Sequence, residues 1–312
     1  LFSYFFKRLA PYLLKYIIKK KFEKFNSQMN SNSPFEKSAN KKKEKKKQVG
    51  EYIDYEEIEW FNEQILTNVK DLKLEKHLLV VGLFAIFSLI YFYPLLQGKA
   101  LFQSDIAQFS GMAKQIVDHR EEFNEDPFWI DNAFVGMPSY QVAADYPFDM
   151  IDSLDKLVRF LPRPADYLFV YLFSFYILLI SLGIRMKYAV FGALTFALST
   201  YLVIILGVGH NTKALAIGYT PIIIAGGYKW LDKKYLPGFI LASIGLGLQI
   251  GANHYQMTYY FMMMIGLLFL IDLIFEIKNK SFNFKKIGVF IGAFFLAISL
   301  NSTSILATKE YT

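Results

Sequence analysis

Asp105, in the stretch QSDIAQ, is the residue whose chemistry stands out first. A carboxylate set a few residues beyond an apolar run, where a polar loop opens, is placed to act as a general base or as a metal ligand. Much further along, GHNTK gathers His210, Asn211 and Lys213, a compact donor group suited to phosphate or pyrophosphate oxygens. GANHYQ offers Asn253, His254 and Gln256, whose amides and imidazole suit hydroxyl recognition. Each set also has a plainer role. Ser104 could be an N-cap, with Asp105 in the first helical turn facing the macrodipole. Lys213 could snorkel from a polar turn, and the Asn253 group could hydrogen-bond between helices. The Met262-Met263-Met264 run reads as packing or lipid contact, and Asn301-Ser302-Thr303 fits the short glycosylation sequon.

The residue inventory removes several chemistries. The chain has no Cys, which excludes disulfides, thiolate catalysis and Cys-based metal sites, and its four His argue against a His-rich zinc site. No metal site is assigned from spacing.

These groups need elements to hold them, and composition says what kind. The 312 residues are 54% hydrophobic and 18% aromatic, and several unbroken runs reach the ~20 residues that cross a hydrocarbon core of roughly 30 Å. The expected fold is all-α, a polytopic transmembrane bundle of about seven spans. They are predicted at roughly 78–96, 166–184, 188–207, 214–231, 235–251, 256–275 and 286–301. Between the first two spans lies a large loop, 97–165. It holds two amphipathic stretches, one through Ile106, Phe109, Ala113, Ile116, Val117 and Phe123, the other through Met150, Ile151, Leu154, Leu157, Val158 and Leu161. Both are expected to lie along the membrane surface with the apolar face down. FVGMPSYQ between them, with Gly136 and Pro138, reads as turns.

Alternate connections differ in charge. Arg185 and Lys187, then Lys229, Lys233 and Lys234, then Lys278, Lys280, Lys285 and Lys286 mark one side, as solvated anchors. The other connections carry GHNTK and GANHYQ. The positive-inside rule then puts the basic N-terminal arm in the cytoplasm and loop 97–165 outside. Asp105, His119, Asp131, Asn132, the His210 and Asn253 groups and Asn301 all fall on the outer face, which favours a shared site there. His77 is the one His on the inner side.

The net charge of +7 belongs to the arm: residues 1–50 hold 14 Lys and Arg against 3 Asp and Glu, the remainder 20 against 24. Residues 1–25 read as an interfacial or truncated membrane helix. Residues 26–77 read as a basic disordered linker followed by the acidic, aromatic GEYIDYEEIEWF, and 78–312 as the transmembrane domain. The arm suits anionic lipid or a cytoplasmic partner, and no nucleic acid is expected, since no binding motif accompanies it. The chain starts at Leu1 rather than Met and stops at Thr312 beside an apolar stretch, so it is expected to be a fragment.

At QSDIAQ, WIDNAFVGMPSYQ, GHNTKALAIGY and QIGANHYQMTYY, in that order, the chain resembles the YfhO family of bacterial multispan membrane proteins, from about Leu78 to Thr312. Residues 1–60, at APYLLKYIIKK and VGEYIDYEEIEW, resemble a separate small bacterial membrane-protein family. YfhO-like proteins are similar to the GT-C class of glycosyltransferases. The resemblance implies a multispan helical fold, a large first outer loop with an acidic residue, and sugar transfer from a lipid phosphate on the outer face. It makes Asp105 the candidate catalytic carboxylate, acting on the acceptor directly or through a divalent cation such as Mg or Mn. His210 and Lys213 would face the donor phosphate. No acidic neighbour of the DxD or ExD kind accompanies Asp105, which leaves the choice between base and metal open.

The function expected from all this is a membrane glycosyltransferase moving a sugar from a polyprenyl-phosphate carrier to an envelope acceptor. A transporter or flippase is the first alternative. It calls for polar groups inside spans, of which the chain has few, mainly Gln249, with Pro221 and Gly226-Gly227 as helix breaks. A non-catalytic assembly protein is the second.

Overall fold

A computed structural model describes residues 74–143, 149–279 and 281–311. The basic arm and the acidic segment expected at 50–61 lie outside the described residues. The described chain is all-helical but for one two-residue strand pairing. Helix α1 (Leu74–Tyr91) passes through a 3-10 turn (Tyr93–Gln97) to α2 (Ser104–Phe123). Strands β1 (Trp129–Ile130) and β2 (Met137–Pro138) pair antiparallel, Trp129 opposite Pro138. Then come α3 (Met150–Val158), α4 (Ala165–Ser181), α5 (Met186–Ala197), α6 (Thr200–Val208) and α7 (Asn211–Leu231). The chain continues with α8 (Tyr235–Gly251), α9 (Tyr255–Lys278), α10 (Phe284–Leu300) and α11 (Ser302–Tyr311).

Helices lie at all seven predicted apolar stretches. Two of them, α1 and α9, are each long and apolar enough to cross a membrane. The pairs α5–α6, bent by 47°, and α10–α11, bent by 65°, bring the number to four if each is one span. These helices mark a membrane protein. Helices α4 and α8 are apolar but 17 residues long, which at ~1.5 Å per residue falls just short of a ~30 Å core.

Helix α7 is the hub. It is buried continuously from Ala214 to Ile223, packed by α4 on one side and α8 on the other. Contact with α8 is backbone to backbone: a Cβ on Gly226 would come within 2.5 Å of the Ala242 nitrogen, and one on Gly245 within 2.9 Å of the Ile223 nitrogen. Pro221 interrupts the ladder of α7. One turn away, the fully buried Gln249 donates from Nε2 to the Ala216 carbonyl and to Thr220 Oγ1, both at 2.8 Å. Gln249 is therefore a strut between helices.

The polar loop is docked in two places. On α2, Ile116 is buried beneath Ile130 and Ala133 of the strand loop and Ala113 is also buried, while Phe109, Val117 and Phe123 stay exposed. The expected single apolar face is thus split, because the loop itself covers half of it. Gln115 Oε1 accepts from the Asp131 and Asn132 amides, and Asn132 Nδ2 donates to the Gly111 and Met112 carbonyls. On α3, Asp149 caps the helix by accepting from the Ile151 and Asp152 amides at 2.9 Å. Ile151 seats against Gly247 and Gly251 of α8, leaving Met150 and Leu157 exposed. Beside them Asn301 is buried, donating to the Gly247 and Ala297 carbonyls, so the sequon asparagine serves a helix junction.

At the opposite end of the bundle, Lys286 departs from its expected role as a solvated anchor. It is 5% exposed, 3.0 Å from Glu276 Oε1, paired also with Asp272, and stacked on Trp230 at 4.6 Å. Asp272 and Glu276 stand one helical turn apart on α9, and two carboxylates offset the cost of burying one ammonium. His77 bonds to Tyr176 Oη at 2.7 Å, tying α1 to α4.

Candidate functional site

The turn between α6 and α7 builds the site. Helix α6 ends at Val208, and Gly209 takes a left-handed backbone, φ 100°, that lets the chain reverse into α7. Its missing side chain admits α2 against the turn: a Cβ there would lie 3.0 Å from Gln103 Cβ and 3.4 Å from Asp105 Cβ. Two residues just before Asp105 fasten the contact. Gln103 Nε2 donates to the Leu206 carbonyl and Ser104 Oγ to the Val208 carbonyl, satisfying acceptors that the end of α6 leaves open.

Asp105, in the first turn of α2, is thereby brought to His210, the N-cap residue of α7. His210 Nδ1 lies 2.7 Å from Asp105 Oδ2, with the His210 side chain 49% and the Asp105 side chain 39% exposed. A carboxylate only accepts, so Nδ1 carries the proton, and in the neutral imidazole Nε2 is the acceptor. Around the pair opens a cleft of about 360 Å³ that also takes in Ile106, Phe109, Asn211, Thr212, Lys213 and His254. Lys213 Nζ sits over the Tyr201 ring at 5.5 Å, which steers the ammonium. His254 is the N-cap of α9, its Nδ1 accepting from the Met257 amide at 3.4 Å.

Three helices therefore start at one cleft: α2 through Asp105 and Ile106, α7 through His210 to Lys213, and α9 through His254. Each helix start carries unsatisfied N–H groups and the positive end of a macrodipole, so their convergence favours an anion. Asn211 Nδ2 is buried with no hydrogen-bond partner in the same wall.

Of the residues expected from the sequence, Asp105, His210, Asn211, Lys213 and His254 share this cleft. Asn253 and Gln256 do not line it. Asn253 occupies a left-handed turn, φ 55°, and Gln256 donates to Tyr260 Oη at 2.9 Å on the exposed side of α9. His119 packs on Phe123 along α2, and Asp131 and Asn132 fasten the strand loop. Ser104 is not the cap of α2, since Gln103 holds that position without a capping side-chain bond. Asp105 is the one carboxylate lining the cleft and is engaged with His210, and no three His, Asp or Glu among the described residues gather as metal ligands.

A second polar centre has no counterpart in the sequence reading. Arg159, just past α3, pairs with Asp155 and, at 3.0 Å, with Asp166 of α4. Asp155 Oδ1 accepts from Tyr219 Oη of α7 at 2.5 Å, and Asp166 Oδ1 from the Tyr167 amide at 2.9 Å. Burial opposes the Arg159 charge, but the hydrogen bond and charge of Asp155, aided by Asp166, outweigh it and hold the guanidinium pKa above its ordinary value. The available signal was Asp155 and Arg159 at helical spacing of four. The network joins α3, α4 and α7.

No family model, curated protein or solved structure matches the chain.

Proposed function

We propose that the cleft is the active site of a GT-C-like membrane glycosyltransferase, which moves a sugar from a polyprenyl-phosphate carrier to an envelope acceptor. The observation that carries this reading is the Asp105–His210 pair set among three helix starts and Lys213, at the polar-loop end of an apolar bundle. The reading also draws on the four motifs that resemble the YfhO family. In this reading the chain crosses a bacterial cytoplasmic membrane about seven times, with loop 97–165 outside.

The pairing merges two roles. Asp105 holds the Nδ1 proton and orients the imidazole, and His210 Nε2 takes the proton of the acceptor hydroxyl. The acceptor oxygen bonds to the anomeric carbon as the bond from that carbon to the phosphate oxygen breaks. The electron pair of the broken bond stays on the lipid phosphate, where Lys213 and the helix starts stabilise it. His210 then returns its proton to solvent. All steps use groups of the chain itself.

The test compares envelope glycans and glycolipids by mass spectrometry in cells carrying the full-length protein or its Asp105→Asn variant at matched expression. Loss of one discrete sugar unit is expected. An unchanged profile, with a phenotype only on removing the whole gene, would overturn the transferase in favour of transport or assembly.

A further inference from the structure

The strand loop that rides on α2 ends in an apolar tip that neither the fold nor the cleft uses. Phe134 and Val135 both have left-handed backbones, φ 50° and 65°, and for a β-branched residue this is a rare, strained conformation. Such strain persists only where the surroundings impose it. Here the β1–β2 pairing, the Gly136 amide bound to the Ala133 carbonyl at 2.9 Å, and the Gln115 and Asn132 clamps on α2 impose it together. The side chains so presented meet nothing: Phe134 is 78% exposed and Val135 104%, while Phe128, just before β1, is 91% exposed.

We infer that this tip is a bilayer anchor, with Phe134, Val135 and Phe128 entering the boundary between headgroups and hydrocarbon of the membrane that the chain crosses. Two links tie the loop to elements that adjoin the long apolar helices. It lies on α2, which starts shortly after the turn closing α1, and Gln141 Nε2 donates to Thr308 Oγ1 of α11, which follows α10 directly. From Phe128 to Ala143 the only charge is Asp131, so the tip itself presents apolar side chains. Its exposure matches that of membrane-length α1, where Leu79 is 65% and Ile90 64% exposed. A lipid phase accepts bare aromatic and branched side chains without a complementary pocket, and that is what the tip offers. The inference rests on the membrane character of the chain and is independent of the transferase reading.

The cysteine-free sequence permits a direct test. The full chain carrying Val135→Cys, labelled with a polarity-sensitive nitrobenzoxadiazole dye, is reconstituted in phosphatidylcholine vesicles that contain lipid with a shallow nitroxide. Glu122→Cys, on an exposed part of α2, gives the aqueous reference. The dye at Val135 is expected to emit further to the blue and to be quenched several-fold more by nitroxide lipid than the reference, with iodide doing the reverse. Phe134→Cys repeats the measurement in case a label at Val135 disturbs the turn. Quenching by iodide at both tip positions would overturn the anchor, and shielding from both quenchers would assign the tip to a protein contact instead.

Discussion

Asp105 and His210 reach one another because the residue between α6 and His210 has no side chain. The types of these residues were legible in the sequence, but their pairing spans more than a hundred positions and follows from a turn that no local pattern specifies. Read along the chain, base and phosphate ligand have separate tasks; in space they are one hydrogen-bonded unit. Asp105→Asn and His210→Gln are each expected to lower transfer by ~10²–10⁴-fold. The double variant should lose little more than the worse single one, since the two act together. Full additivity, measured as initial rates with purified protein, would separate them. Gly209→Ala should act from a distance. Its left-handed backbone costs an alanine about 1–2 kcal/mol, and the new Cβ would press on Gln103. Lower transfer is expected with the helix content by circular dichroism unchanged.

Elements were the best-read level and also supplied the clearest corrections. Long apolar runs fixed the helices to within a few residues, because hydrophobic length is a local property. What each charged residue does at a helix end is not local. Lys286 has the sequence surroundings of a snorkelling anchor, yet the far end of α9 brings Asp272 and Glu276 to it. Asn253 and Gln256 looked equal to His254, but the turn into α9 admits only His254 to the cleft. Arg159 shows what such contacts hold. Removing one partner of a buried ion pair typically costs about 3–5 kcal/mol, so Arg159→Ala should release α3 from α4 and α7. The expected readouts are a lower Tm in detergent and new proteolytic cleavage near residues 150–165. Ile151→Ala, which empties the seat against Gly247 and Gly251, is expected to cost ~2–5 kcal/mol by the same measurement. Resistance of both variants to protease would mean that α3 is held by other means.

At the scale of the whole molecule, the bundle has two unlike ends. One carries the cleft and the Arg159 network, the other the Lys286 cluster. Alternating charge in the connections made that segregation legible before any coordinates. Impermeant maleimide on intact cells is expected to label Asn253→Cys, with Lys233→Cys reacting only after lysis. Labelling of both from one side would break the proposed topology.

The backbone contact between α7 and α8 has a mechanical consequence. Where Gly226 meets Ala242 and Gly245 meets Ile223, the glycines let the two helices approach closely, and Gln249 bolts them together across the same seam. The two form one closely packed pair. His210 and Lys213 stand at the start of α7, whereas Asp105 arrives on α2, and His254 on α9, which a short turn joins to α8. Movement at the cleft is therefore expected to involve α2 and α9 rather than a slip between α7 and α8.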